Sequence, residues 1–392
     1  MKEATTLADA GYDVEVIGGW FDKTLKARDR ELLPRLKFRF TPVLDLVEKD
    51  GLTRFAARLQ RKLGELAHLK GGLENTWELG ILAPALRRAA FRSNADLLIA
   101  HSEPTMAAVA EAGRRRGCNI GVDLEDWFSE DGTEEVRNSR PVRLLRSLEQ
   151  FILNEGTHSS CPSRAMSNAI AKEFGCTPPA VIYNAFAWSE RRLLDRQIKD
   201  RRSLRIPSVH WYSQTLGHTR GLEDLLASLP YLKHEVEIHL RGKPVVGFEQ
   251  WLMEHVPAEW RARIFIHGLV TNDELLSRIA EHDIGFAGEM KFCRNRDMAA
   301  SNKFLHYLLA GLAVVASDTV GQREVAERAG KAVMLYQSGD PQALAAQLNA
   351  LLASAERLRA AKAAALLAAK TTFCWERQTS TLLQSIEKAL AA

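Results

Sequence analysis

The sequence predicts an α/β protein of two doubly wound, Rossmann-like domains. Helical patterns alternate with short apolar strands through both halves of the chain, the rhythm of parallel sheets covered by helices. Between the halves lies a polar, arginine-rich stretch without a core pattern, WSERRLLDRQIKDRRSLRIP (188–207). At 392 residues the chain also exceeds what one ordinary core holds.

In the first half KEATTLADAGY reads as an amphipathic helix closed by Gly11, and DVEVIGG as the strand after it. ADLLIAH (95–101), NIGVDLE (119–125), THSSCPS (157–163) and AVIYNA (180–185) read as further strands, with TMAAVAEAGRRRG and SRAMSNAIAKEFG as helices among them. The expected domains are 1–187 and 208–373, with 188–207 as linker. In the second half SVHWYSQ (208–214), EVEIHLRG (235–242), ARIFIHG (262–268), HDIGFAG (282–288) and AVVASD (313–318) read as strands, followed by an alanine-rich helical tail. The chain opens on a helix with no strand ahead of it, whereas a doubly wound domain normally places its first strand centrally. Without that strand two sheet edges stand unpaired. Either a leading segment of roughly 15–20 residues, one strand and its loop, precedes Met1, or the topology is unusual; the first reading is preferred.

Hydrophobic residues make up 46% and charged residues 26%, a soluble globular composition, and no apolar run approaches the ~20 residues that span a bilayer. No basic region followed by an apolar core marks a secretory signal. The five cysteines, Cys118, Cys161, Cys176, Cys293 and Cys374, are scattered without a CxxC pair, which argues against a disulfide framework or structural zinc and fits a reducing cytoplasm. A net charge of +4 does not demand a nucleic-acid partner and equally suits a phosphorylated ligand or an anionic membrane surface.

Ligands of open parallel sheets bind outside the carboxyl ends of the strands. In the first half those positions hold His101 and the acidic group Asp123, Glu125 and Asp126. In the second they hold Gln214 to Arg220, Arg241, Gly242 and Lys243, His267, Glu289, and the segment Ser301, Asn302, Lys303 to His306. The two sets are expected to face each other across an interdomain cleft. Arg220, Arg241, Lys243 and Lys303 near helix starts would suit a diphosphate. Lys303 in a first helical turn opposes the helix dipole, which favours a ligand-related role. Each residue also has a plain structural reading: His101 as a satisfied structural histidine, the acidic group as solvated loop carboxylates or a helix cap, Arg220 as surface decoration.

The second half resembles family 4 retaining glycosyltransferases of the GT-B fold through SQTLGHTRGLEDLLASL, IHLRGKP, IFIHGLVTNDELLSRIAEHDIGFA and ASNKFLHYLLAGLAVVASDTVGQREV. The first half resembles them through MKEATTLADAGYDVEVIG, ADLLIAHSEPTMAAVA, VDLEDWF and SCPSRAMSNAIAKEFG, and TTFCWERQTSTLLQSIEKAL resembles their final helix, so that 374–391 is expected to cross back to the first domain. The resemblance implies transfer of a sugar from a nucleotide-diphosphate donor to a saccharide or lipid-linked acceptor with retention, in polysaccharide or glycoconjugate synthesis at the cytoplasmic face. It implies no metal or other cofactor, because cationic side chains and helix N-termini stabilise the leaving diphosphate. By the same resemblance His101 is the catalytic residue that positions or polarises the sugar, and Gln214, Arg220, Gly242, Lys243, Glu289, Ser301, Asn302, Lys303 and His306 bind the nucleotide sugar. Glu125 and Asp126 line the acceptor side. The sequence departs from the family at Met298 and His306, which stand where relatives commonly carry glutamates, with Asp297 and Glu289 as nearby substitutes. Two other readings follow: a catalytically impaired nucleotide-sugar-binding partner of another transferase, and a nucleotide-sugar epimerase of the same fold, which the SNK and AGLAVVASD segments disfavour.

One segment lies outside this scheme. In LTRFAARLQRKLGELAHLKGG (52–72), Leu52, Phe55, Leu59, Leu63 and Leu66 fall on one helical stripe, with Arg54, Arg58, Arg61, Lys62 and Lys70 elsewhere. With KTLKARDRELLPRLKFRF (23–40) it suits peripheral contact with an anionic membrane; the alternative is an amphipathic helix packed on its own sheet.

Overall fold

Every strand pairing among the described residues is parallel. The computed structural model describes residues 1–48, 51–201 and 203–392, and only the backbone of 51–54. The chain divides into one unit of Met1–Cys161, Ser167–Ile182 and Thr379–Ala392, and a second of Pro162–Met166 and Tyr183–Gln378.

The first unit begins with α1 (Lys2–Asp9), β1 (Glu15–Trp20), α2 (Lys23–Leu32) and β2 (Arg39–Asp45). It continues through α3 (Gly51–Gly71), α4 (Ala83–Arg92), β3 (Leu97–Ala100), α5 (Glu103–Arg116), β4 (Asn119–Asp123), β5 (His158–Cys161) and β6 (Ala180–Val181). Its strands form two sheets, β1–β2 and β3–β4–β5–β6. Among the described residues no strand pairs with the second edge of β1 or of β3. What ties the two sheets together is packing: Leu86 and Ala90 of α4 and Ala108 and Ala112 of α5 form one apolar cluster that takes in Ile17 and Val43 from the β1–β2 sheet and Leu98 from β3. The helix Thr379–Ala391 packs on this unit, burying Leu382 and Ile386 and bringing Ser385 Oγ to 2.9 Å from His158 Nδ1.

The second unit holds β7 (Ser208–Leu216), β8 (Glu237–Pro244), β9 (Ile264–His267), β10 (Ile284–Ala287), β11 (Ala313–Ser317) and β12 (Val333–Tyr336), in the order β12-β11-β10-β7-β8-β9. Near-continuous apolar strands such as AVVAS are buried along their length, as a sheet covered on both faces requires. The arginine-rich segment expected to link the domains lies within this unit: buried Arg201 donates to the Glu281 carbonyl and to Asp283 Oδ2, each at 2.9 Å, and Arg278 pairs with Asp195.

Around the β7–β9 half of the sheet gathers a group of histidines of which the sequence signalled only His267. His210, His239 and His282 are fully buried, and His267 stands at the end of β9. The rings of His210 and His282 stack at 4.5 Å, and those of His239 and His267 lie parallel at 5.2 Å with Nδ1 and Nε2 2.9 Å apart. Ser208 Oγ lies 3.1 Å from His282 Nδ1, Glu237 3.2 Å from His239 Nε2, and Asp200 3.6 Å from His267 and 3.8 Å from His282. Burial first, and neighbouring histidines second, pull His239 down to about 2 and His210 well below its ordinary range. Burial lowers His282 to about 4 against the opposing pull of Asp200. The same network absorbs Arg241 and His267, which the sequence placed on the ligand side: Arg241 is buried and bonds Asp200 and the Gly268 carbonyl.

Candidate active site

In the first unit β3 delivers His101 to the carboxyl edge of its sheet. The start of α5 holds it there, because Thr105 Oγ1 accepts from the backbone N–H of His101 at 3.1 Å and of Ser102 at 2.8 Å. The half-exposed imidazole lies between two carboxylates, with Asp123 Oδ2 3.3 Å from Nδ1 and Glu3 Oε2 3.4 Å from Nε2, while Ser160 Oγ donates to Asp123 at 2.7 Å. Burial pushes the Glu3 carboxyl up to about 7, helped by the Asp123 charge. Burial pulls the His101 imidazole down, but the Asp123 contact and the Glu3 charge outweigh it and raise the ring overall, favouring the imidazolium. Burial and Asp123 also raise exposed Glu125, and half-buried Asp126 follows it in the same loop. Glu3, His101 and Asp123 each offer one ligand atom within 4.8 Å of the others. Each ring nitrogen faces a different carboxylate, however, an arrangement that suits a held proton donor better than a cation ligand. Sequence reasoning missed Glu3, since only the packing of α1 brings residue 3 beside residue 101.

The second unit brings Arg220, Glu289, Ser301 and Lys303 to one edge of its sheet. Arg220 donates to Ser213 Oγ at 3.0 Å, beyond the straight part of β7. Gly221 follows at φ 79°, and a Cβ there would strike the backbone of Gly288 at 2.8 Å, so glycine at 221 lets this turn touch the end of β10. The next residue is Glu289, whose backbone N–H donates to Ser317 Oγ at 2.8 Å. Its carboxylate accepts from Lys303 at 2.8 Å and from Ser301 Oγ at 3.2 Å. Burial would push this carboxyl up, but Lys303, Arg296 and Ser301 hold it below its usual range. The Lys303 ammonium also lies 5.5 Å over the Trp211 ring. A lysine at a helix start, adverse for the dipole, is thus held by a carboxylate and an aromatic face. The helix Asn302–Ala310 ends at Gly311, whose left-handed φ of 84° turns the chain into β11.

Gln214, Lys243 and Asn302 are exposed, and Gly242 ends the buried part of β8. His306 stands apart from the Lys303 group: it is buried, stacks on Phe186 at 3.9 Å, and meets the Tyr212 hydroxyl through Nδ1 at 2.9 Å. Of the residues around the second family position, Asp297 accepts from Val320 N–H at 3.1 Å and Met298 gives its carbonyl to Ser163 Oγ at 2.6 Å.

The family model described as Glycosyltransferase Family 4 matches residues 2–187, and that described as Glycosyl transferases group 1 matches residues 209–354. The chain belongs to the family 4 glycosyltransferases. Solved structures similar to this family 4 chain include Anabaena HepE in complex with UDP and glucose, 17% identical, with a TM-score of 0.69 over 98% of this chain and 95% of that one. Sucrose-phosphate synthase from Thermosynechococcus elongatus is 13% identical, with a TM-score of 0.69 over 100% and 92%. An alpha,alpha-trehalose-phosphate synthase (UDP-forming) from Burkholderia vietnamiensis is 13% identical, with a TM-score of 0.64 over 97% and 100%. At these identities the likeness is one of fold, and the fold is GT-B. No curated protein matches the sequence. Among the described residues of this family 4 enzyme, no helix is long and apolar enough to cross a membrane.

Proposed function

We propose that this family 4 enzyme transfers a sugar from a nucleoside-diphosphate donor to a saccharide or lipid-linked acceptor with retention, in polysaccharide or glycoconjugate synthesis. The observation that carries the reading is the Lys303–Glu289–Ser301 group beside Arg220 at the carboxyl edge of the second sheet. Lys303 and Arg220 supply positive charge for a leaving diphosphate. Glu289 keeps Lys303 ordered until a ligand arrives, and together with Ser301 it accepts or donates hydrogen bonds to sugar hydroxyls. His101, held as a proton donor between Glu3 and Asp123, positions the sugar. UDP and glucose are the ligands of Anabaena HepE, which makes UDP-glucose the first donor to try.

His306 favours a second reading, a nucleotide-sugar-binding partner of another transferase. It stands where relatives commonly carry a glutamate, and Phe186 and Tyr212 occupy its ring. A panel of nucleotide sugars, read by release of nucleoside diphosphate and by calorimetric binding, separates the two. A hydrogen bond to a charged group contributes about 1.5–3 kcal/mol, so Lys303→Ala and Arg220→Ala should each weaken nucleotide binding about 10–150-fold. Unchanged affinity in both variants sinks the site; tight binding without turnover on any acceptor leaves the binding-subunit reading standing.

A further inference from the structure

The helix α3 wears its apolar stripe on the outside. Phe55, Leu59, Leu63, Leu66 and Leu69 are 65%, 44%, 49%, 45% and 71% exposed, although an amphipathic helix of a globular domain normally buries such residues. At about 100° per residue these five fall within a stripe roughly 120° wide. The opposite side is the one that packs. Gly64 is buried, and a Cβ on it would meet Asn75 Oδ1 at 2.8 Å and Trp77 Cβ at 3.0 Å. Asn75 Nδ2 donates to the Gly64 carbonyl at 3.1 Å, and His68 Nδ1 lies 2.7 Å from Glu78. The helix is therefore fastened by its small, polar side, and its leucines point away from the protein. Leu52 and Arg54, which the sequence placed on the same helix, lie outside the described side chains.

We infer that α3 docks this enzyme on the surface of an anionic lipid bilayer. Charge selects that occupant. Lys62 and Lys70 are exposed and project within the arc of the leucines, with Arg58 at its margin, while the one acid of the helix, Glu65, is paired with Arg61 at 2.8 Å. Leucine and phenylalanine flanked by exposed lysines suit the boundary between acyl chains and anionic headgroups, where lysine stems lie along the apolar surface and the ammonium stays in water. Phe91 and Trp77, 48% and 43% exposed, share a groove with Gln60 of α3 and with Arg88 and Arg92, where Glu111 pairs with Arg87 and Arg115, so that the groove extends the aromatic character beyond the helix and keeps a cationic excess. A second copy of the chain is a poorer occupant, since pairing two such stripes brings Lys62 and Lys70 against the same lysines. The inference is independent of the transfer reaction and stands or falls without it.

The test is sedimentation of the full-length protein with vesicles of phosphatidylcholine and phosphatidylglycerol, against phosphatidylcholine alone. Binding is expected only with the anionic vesicles. A triple variant, Leu59→Gln with Leu63→Gln and Leu66→Gln, should lower the partition coefficient at least tenfold at unchanged circular dichroism, because no buried side chain is touched. Lys62→Gln and Lys70→Gln should each lower it about fivefold. Absence of binding to the anionic vesicles, equal binding to the neutral ones, binding undiminished in the triple variant, or a dimer that the triple variant dissolves would overturn the inference.

Discussion

Acid should loosen the second unit through its buried histidines. A histidine whose folded pKa is depressed takes up its proton only in the unfolded chain. The stabilisation is therefore fully present above the unfolded value of 6.5 and is lost as pH falls below it. With His239 held at about 2 and His282 at about 4, both remain neutral in the fold at mild acidity, and His210 behaves alike. At about pH 5 His239 and His282 each favour the unfolded chain by about 2 kcal/mol, together by at most about 4 kcal/mol, a large share of the 5–15 kcal/mol of a typical domain, and His210 acts in the same direction. Asp200, whose carboxyl is depressed by the nearby His282 ring and by its hydrogen bond from Arg241 against the opposing effect of burial, loses its contribution only below the usual carboxylate range and does not confuse this window. Hydrogen exchange read by mass spectrometry on peptides from 208–244, corrected for intrinsic rates, isolates β7 and β8 from the other unit. Protection should fall steeply between pH 7.5 and 5. His210→Leu, at a position with both ring nitrogens lacking a hydrogen-bond partner among the described residues, should make that fall smaller. Equal protection at both pH values, or an identical fall in the variant, would refute the reasoning.

Two further outcomes test the packing. Glu149 is fully buried, and burial pushes its carboxyl up to about 7 even though Ser129 donates to it through backbone and hydroxyl. An acid with a raised folded pKa costs stability at alkaline pH and regains it as pH falls from about 7 toward 4.5, so Glu149→Gln should stabilise the first unit by about 1–3 kcal/mol at pH 8 and by much less at pH 5, as read from urea midpoints. In the second unit a Cβ on Gly285 would fall inside the Tyr307 ring, which rests directly on β10. Gly285→Ala should cost about 3 kcal/mol in a urea melt, and less in a Tyr307→Leu background; an additive pair of effects would contradict the contact.

Strands were legible in the sequence where they are apolar and buried on both faces, as in β7, β10 and β11. β2 was not: RFTPVLD carries Pro42, has several exposed residues and pairs on one side only with β1, so it lacks a core strand's pattern. β12 (VMLY) also went unread. In the candidate site, the grouping of Lys303, Ser301 and Glu289 at one sheet edge was readable because they follow strand ends or start a helix. Glu3 beside His101, and Phe186 and Tyr212 around His306, come from distant parts of the chain and leave no local signal.

The sequence by itself determined the two-fold βα rhythm, the family, and the cationic helix start at Ser301–Lys303, since periodicity, turn residues and motif order are all local properties. Only the tertiary structure decided that Lys303 is held by Glu289, that four histidines gather around β7, β8 and β9, and that α3 turns its leucines outward. Periodicity shows that a helix has an apolar side; which side finds a partner depends on what the rest of the chain places next to it. Here that neighbour is the segment 75–78, and it fits Gly64 rather than the leucines.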